Sequence, residues 1–326
     1  MTLDTSALML EAIREGDKAR LHAPPNPWVG ALIVRDGVVV GAGHTQAPGE
    51  SHAEIEALRH AGDSSRGATM IVTLEPCCHV GRTGPCVEAL IDAGISRVVV
   101  ATLDPDPRVA GRGVAALRSG GIVVELGVQI EAVRAQLAPY LWHRVTGRPY
   151  VVLKVAATLD GVVAMADGSS QWITSPEARQ DAHLLRAQSQ AIIVGARTVR
   201  TDDPALTARL GELTLEPLRV VLGRAPEGAR VRPCWEREGE LGPVLDELGE
   251  HDILQVLVEG GATVASAFLE ARLVNHVVWF VAPAWAGSKG RGALVGLSTP
   301  SIAQLRRARF SDVRRVGEDV RMDLEV

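Results

Sequence analysis

The hydrophobic positions along the chain follow two different periods. Apolar residues spaced by three to four positions are typical of amphipathic helices, whereas short continuous apolar runs are typical of buried strands. In the first half the pattern predicts helices at 6–18, 52–61, 86–94, 110–119 and 129–142, and strands at 29–34, 37–43, 69–74, 97–103 and 122–126. The first two strands flank Asp36-Gly37, a dipeptide typical of a tight hairpin turn.

A second series of elements follows Thr146-Gly147-Arg148-Pro149, a sequence typical of a linker. The pattern there predicts strands at 150–156, 191–195, 218–222, 253–258 and 276–282, and helices at 176–188 and 262–271. Alternation of strands and helices favours sheet-centred α/β domains. We therefore expect two such domains, covering 1–147 and 148–326.

Composition and charge narrow the classes of function. Of the 326 residues, 46% are hydrophobic and 22% are charged, which is typical of a soluble globular protein. A net charge of −5 and an aromatic content of 3% argue against binding to nucleic acid. No apolar run is long enough for a membrane helix, and no secretory signal is evident. We expect a cytoplasmic protein without a nucleic-acid or membrane partner.

The strongest chemical pattern in the first half joins one histidine with two cysteines. His52 begins a predicted helix, and Pro76-Cys77 is expected to open another. Cys86 follows Cys77 by nine positions. One His and two Cys leave the fourth tetrahedral position of a zinc ion for water, as catalytic zinc requires. Glu54, in His-x-Glu spacing, is near the metal without binding it and is suited to proton transfer.

Several alternatives to this zinc site remain open. Cys78 is adjacent to Cys77 and offers the same ligand atom. A purely structural zinc would need a fourth protein ligand, for which His79 is the candidate. A deaminase that edits nucleic acid uses the same kind of site, but the acidic charge argues against it.

The motifs that contain these residues resemble one enzyme family. The first half resembles the bifunctional deaminase/reductases of riboflavin biosynthesis in the segments PNPWVGALIV (25–34), HAEIEAL (52–58), TLEPCCHVGRTGPC (73–86) and DPDPRVAGRGVAAL (104–117). The resemblance implies a cytidine-deaminase-like αβα domain with one zinc ion per chain, held by His52, Cys77 and Cys86. It further implies that Glu54 is the general acid/base. Asn26 and His44 would line the pyrimidine pocket, and Arg82 would face substrate.

The second half resembles the reductase domain of the same family, with a dihydrofolate-reductase-like fold. The match covers 150–209 and 257–287. Lys154, Arg186 and Arg209 are basic side chains of the kind that binds a ribose phosphate. Gly260-Gly261 lies directly before a predicted helix, where free backbone N–H groups suit a pyrophosphate. The resemblance implies substrate contacts from Lys154, Ser170, Arg186, Leu206, Arg209 and Glu259. It implies NADPH contacts from Ala156, Trp172, Thr198, Asp202, Gly260, Gly261, Ala262 and Thr263.

The family would convert a phosphorylated pyrimidine in two steps. Zinc-dependent deamination of 2,5-diamino-6-ribosylamino-4(3H)-pyrimidinone 5′-phosphate would precede NADPH-dependent reduction of its ribosyl chain, in an enzyme expected to be a homo-oligomer. Asp106 departs from the Asn common in the family. The stretch 223–252 is shorter than expected, by about two strands. An alternative is therefore a zinc deaminase of the same pathway whose C-terminal domain no longer reduces.

Overall fold

The structure is a computed structural model that describes residues 3–79 and 84–326. It divides into two compact units, Met1–Gly147 and Arg148–Val326. Each unit is built around a sheet of its own.

Unit 1 is an α/β unit with a five-stranded sheet in the order β2-β1-β3-β4-β5. Its helices are α1 (Thr5–Asp17), α2 (Ala53–Ala61), α3 (Cys86–Asp92), α4 (Arg112–Ser119), α5 (Ile130–Gln136) and α6 (Ala138–Thr146), with a 3₁₀ turn at Gly62–Ser65. Its strands are β1 (Gly30–Arg35), β2 (Val38–His44), β3 (Thr69–Leu74), β4 (Arg97–Thr102) and β5 (Val123–Leu126). Strands β3, β4 and β5 are parallel, whereas β1 is antiparallel to both of its neighbours.

The hairpin between β1 and β2 turns where the sequence predicts. Asp36 and Gly37 have φ angles of 51° and 81°. Two consecutive residues with positive φ match the right-handed twist of the flanking strands, which explains why Asp-Gly is favoured there.

Glycines let helices approach the sheet closely from both sides. A Cβ atom on Gly43 of β2 would lie 2.4 Å from the carbonyl oxygen of Ala53 in α2, and a Cβ on Gly30 would lie 1.9 Å from that of Ala12 in α1. Gly30 pairs with His44, the neighbour of Gly43, so the two glycines face opposite sides of the sheet. Unit 1 therefore has three layers, with α1 and α2 on opposite faces.

We expect Gly43→Ala to disturb the position of α2. The added methyl group has no room against the helix backbone, and overpacking of this kind costs about 1–3 kcal/mol. The melting temperature of unit 1 should fall, and zinc retention should weaken because α2 begins beside His52. Differential scanning calorimetry and zinc analysis will measure both effects. Gly84→Ala is the control, because a Cβ at Gly84 would meet nothing within 4 Å; an equal effect of both variants would contradict the packing argument.

The predicted helix at 129–142 is instead two helices, α5 and α6. Leu137 separates them with φ −92° and ψ 10°, and Pro139 lies in the first turn of α6. Proline lacks the N–H that a continuous helix would need at this position, so the apolar periodicity continues across a break in the backbone.

Unit 2 contains an eight-stranded sheet in the order β12-β11-β8-β13-β6-β14-β17-β16. Its strands are β6 (Tyr150–Thr158), β7 (Val162–Ala164), β8 (Ala191–Gly195), β9 (Ala208–Leu210), β10 (Leu213–Leu215), β11 (Leu218–Leu222), β12 (Trp235–Arg237), β13 (Gln255–Val258), β14 (His276–Ala282), β15 (Arg291–Gly292), β16 (Arg309–Val316) and β17 (Asp319–Glu325). Its helices are α7 (Pro176–Ala187), α8 (Ala196–Asp202), α9 (Leu241–Glu250) and α10 (Ala262–Glu270), with a 3₁₀ turn at Ile302–Gln304.

The first six strands of this order are parallel, and both faces of the sheet are buried. Side chains of α9 and α10 pack against one face, whereas those of α7 and α8 pack against the other. Two apolar cores therefore sandwich the strands, as expected for parallel sheets. The carboxyl ends of β8, β13, β6 and β14 consequently meet along one edge, the usual place for ligands in such sheets.

Several elements of unit 2 were absent from the sequence expectation, among them helix α8 and the short strands β7, β9, β10 and β15. The short stretch 223–252, in which the sequence pattern predicts no helix or strand, contains edge strand β12 and helix α9. The terminal hairpin β16–β17 was not predicted. In β17 the buried residues are Asp319, Arg321 and Asp323, while the apolar residues between them are only half-buried.

The buried charges of β17 are all paired. Arg321 bonds to Asp323 at 2.7 Å and to Asp181 of α7 at 2.9 Å. Asp319 accepts hydrogen bonds from the backbone N–H and the hydroxyl of Ser175, which caps α7. Charge pairing thus fastens the hairpin to α7. Across the described residues, no helix combines the length and apolar character needed to span a bilayer.

Candidate functional sites

His52, Cys77 and Cys86 form a cluster in unit 1 whose ligand atoms all lie within 4.8 Å of one another. The Nδ1 atom of His52 is 3.3 Å from the sulfur of Cys86 and 3.6 Å from that of Cys77. Tetrahedral zinc with ordinary Zn–N and Zn–S bonds would separate such atoms by about 3.6 Å. The three side chains fit a zinc ion, and no other such cluster occurs among residues 3–79 and 84–326.

Three different elements supply the cluster. His52 is the N-cap of α2, Cys77 lies in the loop after β3, and Cys86 is the first residue of α3. The prediction that Pro76-Cys77 opens a helix was wrong, because helical structure begins at Cys86. The backbone N–H of Cys86 instead donates to the sulfur of Cys77 at 3.4 Å.

The two alternative zinc ligands considered from the sequence, Cys78 and His79, lie outside the cluster. The thiol of Cys78 points to the carbonyl oxygen of Arg108 at 3.8 Å, and neither Cys78 nor His79 joins the cluster. The arrangement therefore offers three protein ligands within the described residues, as in catalytic rather than closed structural zinc sites.

Glu54 is buried beside the cluster, with only 4% of its surface exposed. Burial raises the pKa of its carboxyl group above the usual range, although His52 opposes the shift. Hydrogen bonding from Cys86, assisted by His52, lowers the pKa of Cys77 to about 4, so this sulfur is a thiolate at neutral pH. The site thus combines a metal-ligating thiolate with a carboxyl group able to hold a proton.

Glu75, two residues before Cys77, is a buried carboxylate that the sequence reasoning did not single out. It directly follows β3. Its carboxylate accepts hydrogen bonds from the backbone N–H groups of Gly111 at 2.9 Å and Val114 at 3.0 Å. A third N–H, from Asp104, lies at 3.3 Å. Glu75 thus ties the Cys77 loop to the loop after β4 and to the start of α4. Its position within TLEPC, directly before the ligand, was the available signal.

We expect Glu75→Ala to loosen the Cys77 loop. Three buried backbone donors would lose their acceptor, and each unsatisfied group costs roughly 1–3 kcal/mol. Chelator competition should show weaker zinc retention, with Glu75→Gln intermediate because one acceptor oxygen remains. Glu88→Ala, at an exposed position on α3, should behave like the unaltered protein. Unchanged zinc affinity in Glu75→Ala would refute this positioning role.

The other predicted residues of unit 1 have different environments. His44 ends β2, and its Nδ1 atom lies 2.9 Å from a carboxylate oxygen of Glu15 in α1. Asn26 is half-buried in the loop before β1. Arg82 lies outside the described residues. The roles of these three side chains stay predictions.

A cleft of about 910 Å³ opens in unit 2. All residues of the second half that the sequence assigned to substrate or NADPH line it, from Lys154 and Ala156 on β6 to Gly260–Thr263 at the start of α10. The structure therefore brings this set together, and the role of each residue stays a prediction. Cations dominate the charged lining, which contains Lys154, Arg179, Arg186, Arg197, Arg209, Arg230, Lys289 and Arg291 against Asp202, Asp203 and Glu259.

A buried ion pair lies at the centre of the cleft. Both oxygens of Glu259 accept from Arg186, at 2.5 and 2.8 Å, and Arg186 also donates to the carbonyl of Thr207. Burial alone would raise the pKa of Glu259, but Arg186 and Lys154 lower it, so the carboxylate is charged. Arg186 is thus committed to protein contacts, and Arg209 also donates to the Thr207 hydroxyl at 2.9 Å.

The start of α10 shows why Gly260 is required. A Cβ atom there would lie 2.4 Å from the Cβ of Val264. Thr263, in the first turn, accepts a hydrogen bond from Arg291 at 3.0 Å. Arg291 and Lys289 belong to the segment after β14. Asp160 holds this segment in place by accepting a hydrogen bond from the backbone N–H of Gly287 at 2.7 Å. Sequence reasoning missed these two cations, whose signal was their position after a parallel strand.

Ser170 and Asp202 meet across another part of the cleft. The Ser170 hydroxyl lies 3.5 Å from the Asp202 carboxylate, and burial raises the pKa of Asp202. Trp172 is 69% exposed, and Arg179 lies 4.7 Å from its ring centre. These groups leave a flat aromatic face and a hydroxyl–carboxyl pair available to a ligand.

Comparison with known families gives a consistent result for both units. The cytidine and deoxycytidylate deaminase zinc-binding region matches residues 3–102, and the RibD C-terminal domain matches residues 149–322. Together with the αβα layers of unit 1 and the parallel sheet of unit 2, these matches confirm the predicted fold class.

Similar proteins cover nearly the whole chain. The riboflavin biosynthesis protein RibD of Escherichia coli K12 is 40% identical over 97% of this chain and 98% of its own length. The protein of the same name from Mycobacterium tuberculosis H37Rv is 45% identical over 92% and 91%.

Solved structures agree with these relatives. RibD of Acinetobacter baumannii is 38% identical, covers 98% of both chains and has a TM-score of 0.92. A diaminohydroxyphosphoribosylaminopyrimidine deaminase/5-amino-6-(5-phosphoribosylamino)uracil reductase from Thermotoga maritima is 34% identical with a TM-score of 0.89, also over 98% of both chains.

Proposed function

The chain belongs to the RibD family of bifunctional riboflavin-biosynthesis enzymes, and we propose that unit 1 carries out the deamination and unit 2 the reduction. The observation that carries this division is the placement of the two sites. The His/Cys/Cys cluster with Glu54 lies entirely in unit 1, whereas the cation-lined cleft lies entirely in unit 2.

In the first reaction, unit 1 converts the diaminopyrimidinone ribosylamine 5′-phosphate. His52, Cys77 and Cys86 would hold zinc, which supplies the Lewis acidity that makes water nucleophilic at neutral pH. Glu54 takes a proton from the attacking water and delivers a proton to the exocyclic amine. The ring carbon gains a carbonyl oxygen, the C–N bond breaks, and ammonia leaves. Burial suits Glu54 to this role because it raises the pKa of the carboxyl group, which makes the protonated form more accessible.

Other side chains would hold the pyrimidine. Asn26 and His44 line its pocket, with Glu15 fixing the ring of His44 through the 2.9 Å contact. Arg82 faces the substrate. These assignments rest on the family motifs of this chain.

In the second reaction, unit 2 reduces the ribosyl chain to a ribityl chain. NADPH would supply a hydride for this reduction. Opening of the sugar ring would give a C=N bond at C1′, and the reduction would add a hydride to this carbon and a proton to the nitrogen. Lys154 and Arg209 bind the substrate phosphate, and Gly260–Thr263 receive the cofactor pyrophosphate. Arg186 orients Glu259, with Leu206 and Ser170 at the substrate.

The remaining cofactor contacts fall to Ala156, Trp172, Thr198 and Asp202. The alternative with a degenerate, non-reducing second domain is not favoured, because full-length RibD relatives match throughout and the cleft contains the complete predicted set. Positioning within this charged cleft would provide much of the rate enhancement.

We also propose that the enzyme is a cytoplasmic homo-oligomer. None of the four cysteines, all of which lie within the described residues, forms a disulfide, which suits a reducing compartment. Strand β16 lies at an edge of its sheet and is exposed along nearly its whole length, with Phe310 57% and Val313 55% exposed. An open edge with apolar side chains is suited to self-association. Sedimentation velocity tests this, and a monomer at micromolar concentration would contradict it.

Separate assays of the two half-reactions test the proposed function. The chain should release ammonia from the diaminopyrimidine substrate without NADPH, and should oxidise NADPH with the deaminated intermediate. Zinc measured in the same preparation should approach one ion per chain, and its removal should stop only ammonia release. Ammonia release that survives complete zinc removal, or NADPH left unoxidised, would contradict the proposal.

A further inference from the structure

The loop between β4 and α4 contains a charged side chain, Arg108, in a segment that contacts the loop of the metal ligand Cys77. Strands β3 and β4 are parallel neighbours, so their carboxyl ends meet at one edge of the sheet. Cys77 follows β3 at that edge, and Arg108 follows β4. The thiol of Cys78 lies 3.8 Å from the carbonyl oxygen of Arg108, which places the two loops in direct contact.

The guanidinium of Arg108 is held in one orientation by Asp106. Its Nη2 and Nε atoms lie 2.6 and 3.0 Å from the Asp106 carboxylate, which also accepts the Arg108 backbone N–H at 2.8 Å. Only 8% of the Asp106 side chain is exposed, against 66% of the Arg108 side chain. The buried Asp106 carboxylate therefore fixes the exposed Arg108 guanidinium. The Nη1 atom of Arg108 has no protein partner among residues 3–79 and 84–326.

A chain of hydrogen bonds fixes Asp106 relative to the cluster. Its backbone N–H donates to the side chain of Asp104 at 2.9 Å, and the backbone N–H of Asp104 donates to Glu75. Glu75 is two residues before Cys77. Tyr140 also donates to Asp104, at 3.0 Å. The orientation of Arg108 is thus built into the same framework that carries the metal ligands.

We propose that Arg108 binds the 5′-phosphate of the pyrimidine substrate at the deaminase site, with Asp106 as its positioning residue. This rests on the proposed function of unit 1. A planar guanidinium matches a phosphate in shape and charge, and pre-orientation lowers the entropy lost on binding. An unpaired carboxylate at position 106 would repel a phosphorylated substrate, and Arg108 neutralises it.

Variants at Arg108 separate phosphate binding from structural effects. Ammonia release by the full chain is measured with the phosphorylated substrate and with the same ribosylaminopyrimidine lacking the phosphate. Arg108→Ala should raise KM for the phosphorylated substrate about tenfold or more, with kcat and the phosphate-free KM changed by less than about twofold. Arg108→Lys should show a smaller increase in KM than Arg108→Ala, since lysine keeps the positive charge but lacks the planar guanidinium that donates two parallel hydrogen bonds.

A matched control is available on α5. Arg134 is also an exposed arginine paired with a nearby acid, Glu131, and Arg134→Ala should leave both KM values unchanged. Equal changes for the two substrates, or no change, in Arg108→Ala would overturn the role of Arg108 while the unaltered chain still deaminates. Absence of ammonia release from the unaltered, zinc-loaded chain would overturn the proposed function and this inference with it.

Discussion

Glu54→Gln should abolish ammonia release and leave the reduction of the deaminated intermediate intact. The amide has nearly the shape of the carboxyl group but cannot accept and return a proton, and general acid–base catalysis contributes roughly 10²–10⁴-fold to rates. Because His52, Cys77 and Cys86 are unchanged, zinc content should remain that of the unaltered protein. The measurement is kcat for ammonia release, alongside metal analysis of the same sample.

A second glutamate on the same helix provides the control. Glu56 lies two residues further along α2 and pairs with Arg59 at its surface. Glu56→Gln should retain deamination within about twofold, because the residue faces away from the metal ligands. Undiminished ammonia release in Glu54→Gln would remove Glu54 from the proton-transfer role.

Lys154→Met should lower kcat/KM of the reductase by about 10- to 100-fold, because a charge-assisted hydrogen bond contributes roughly 1.5–3 kcal/mol. Methionine keeps most of the side-chain volume, and the Arg186–Glu259 pair remains closed without Lys154. The fold of unit 2 should therefore survive. The decrease in kcat/KM should appear when the concentration of the pyrimidine substrate is varied. The affinity for NADPH, measured by fluorescence titration, should stay nearly constant.

Deamination by the same Lys154→Met preparation is the internal control, since its site lies in unit 1. It should be unchanged. If the variant reduces the intermediate as well as the unaltered chain does, Lys154 does not contact the reacting substrate.

Local patterns were sufficient for much of the fold. The Asp36-Gly37 turn and the apolar runs at 69–74 and 191–195 predicted elements close to those observed, because each depends on neighbouring residues alone. The break at Leu137 escaped prediction because apolar spacing continues through it. Pro139 was the signal that should have ended the helix.

The metal cluster was predictable for a different reason. Few residue types ligate zinc, and the order His52, Cys77, Cys86 leaves little choice once the family motif is seen. Glu75 and Asp106 were harder to interpret, since a carboxylate that binds backbone N–H groups has no sequence spacing of its own. Lys289 and Arg291 likewise become cleft residues only through the contact of Asp160 with a distant loop.

Strand β17 inverts the usual rule for which residues a strand buries, and this has a consequence for the evolution of the protein. A core of leucine and valine tolerates exchange of one for another at modest cost. By contrast, loss of Arg321 would remove the closest basic partner of both Asp323 and Asp181, leaving His276 and Arg314 beside them, and breaking a buried pair costs about 3–5 kcal/mol. We therefore expect natural variation at Arg321, Asp323 and Asp181 to occur in concert, so that the hairpin changes as a unit or hardly at all.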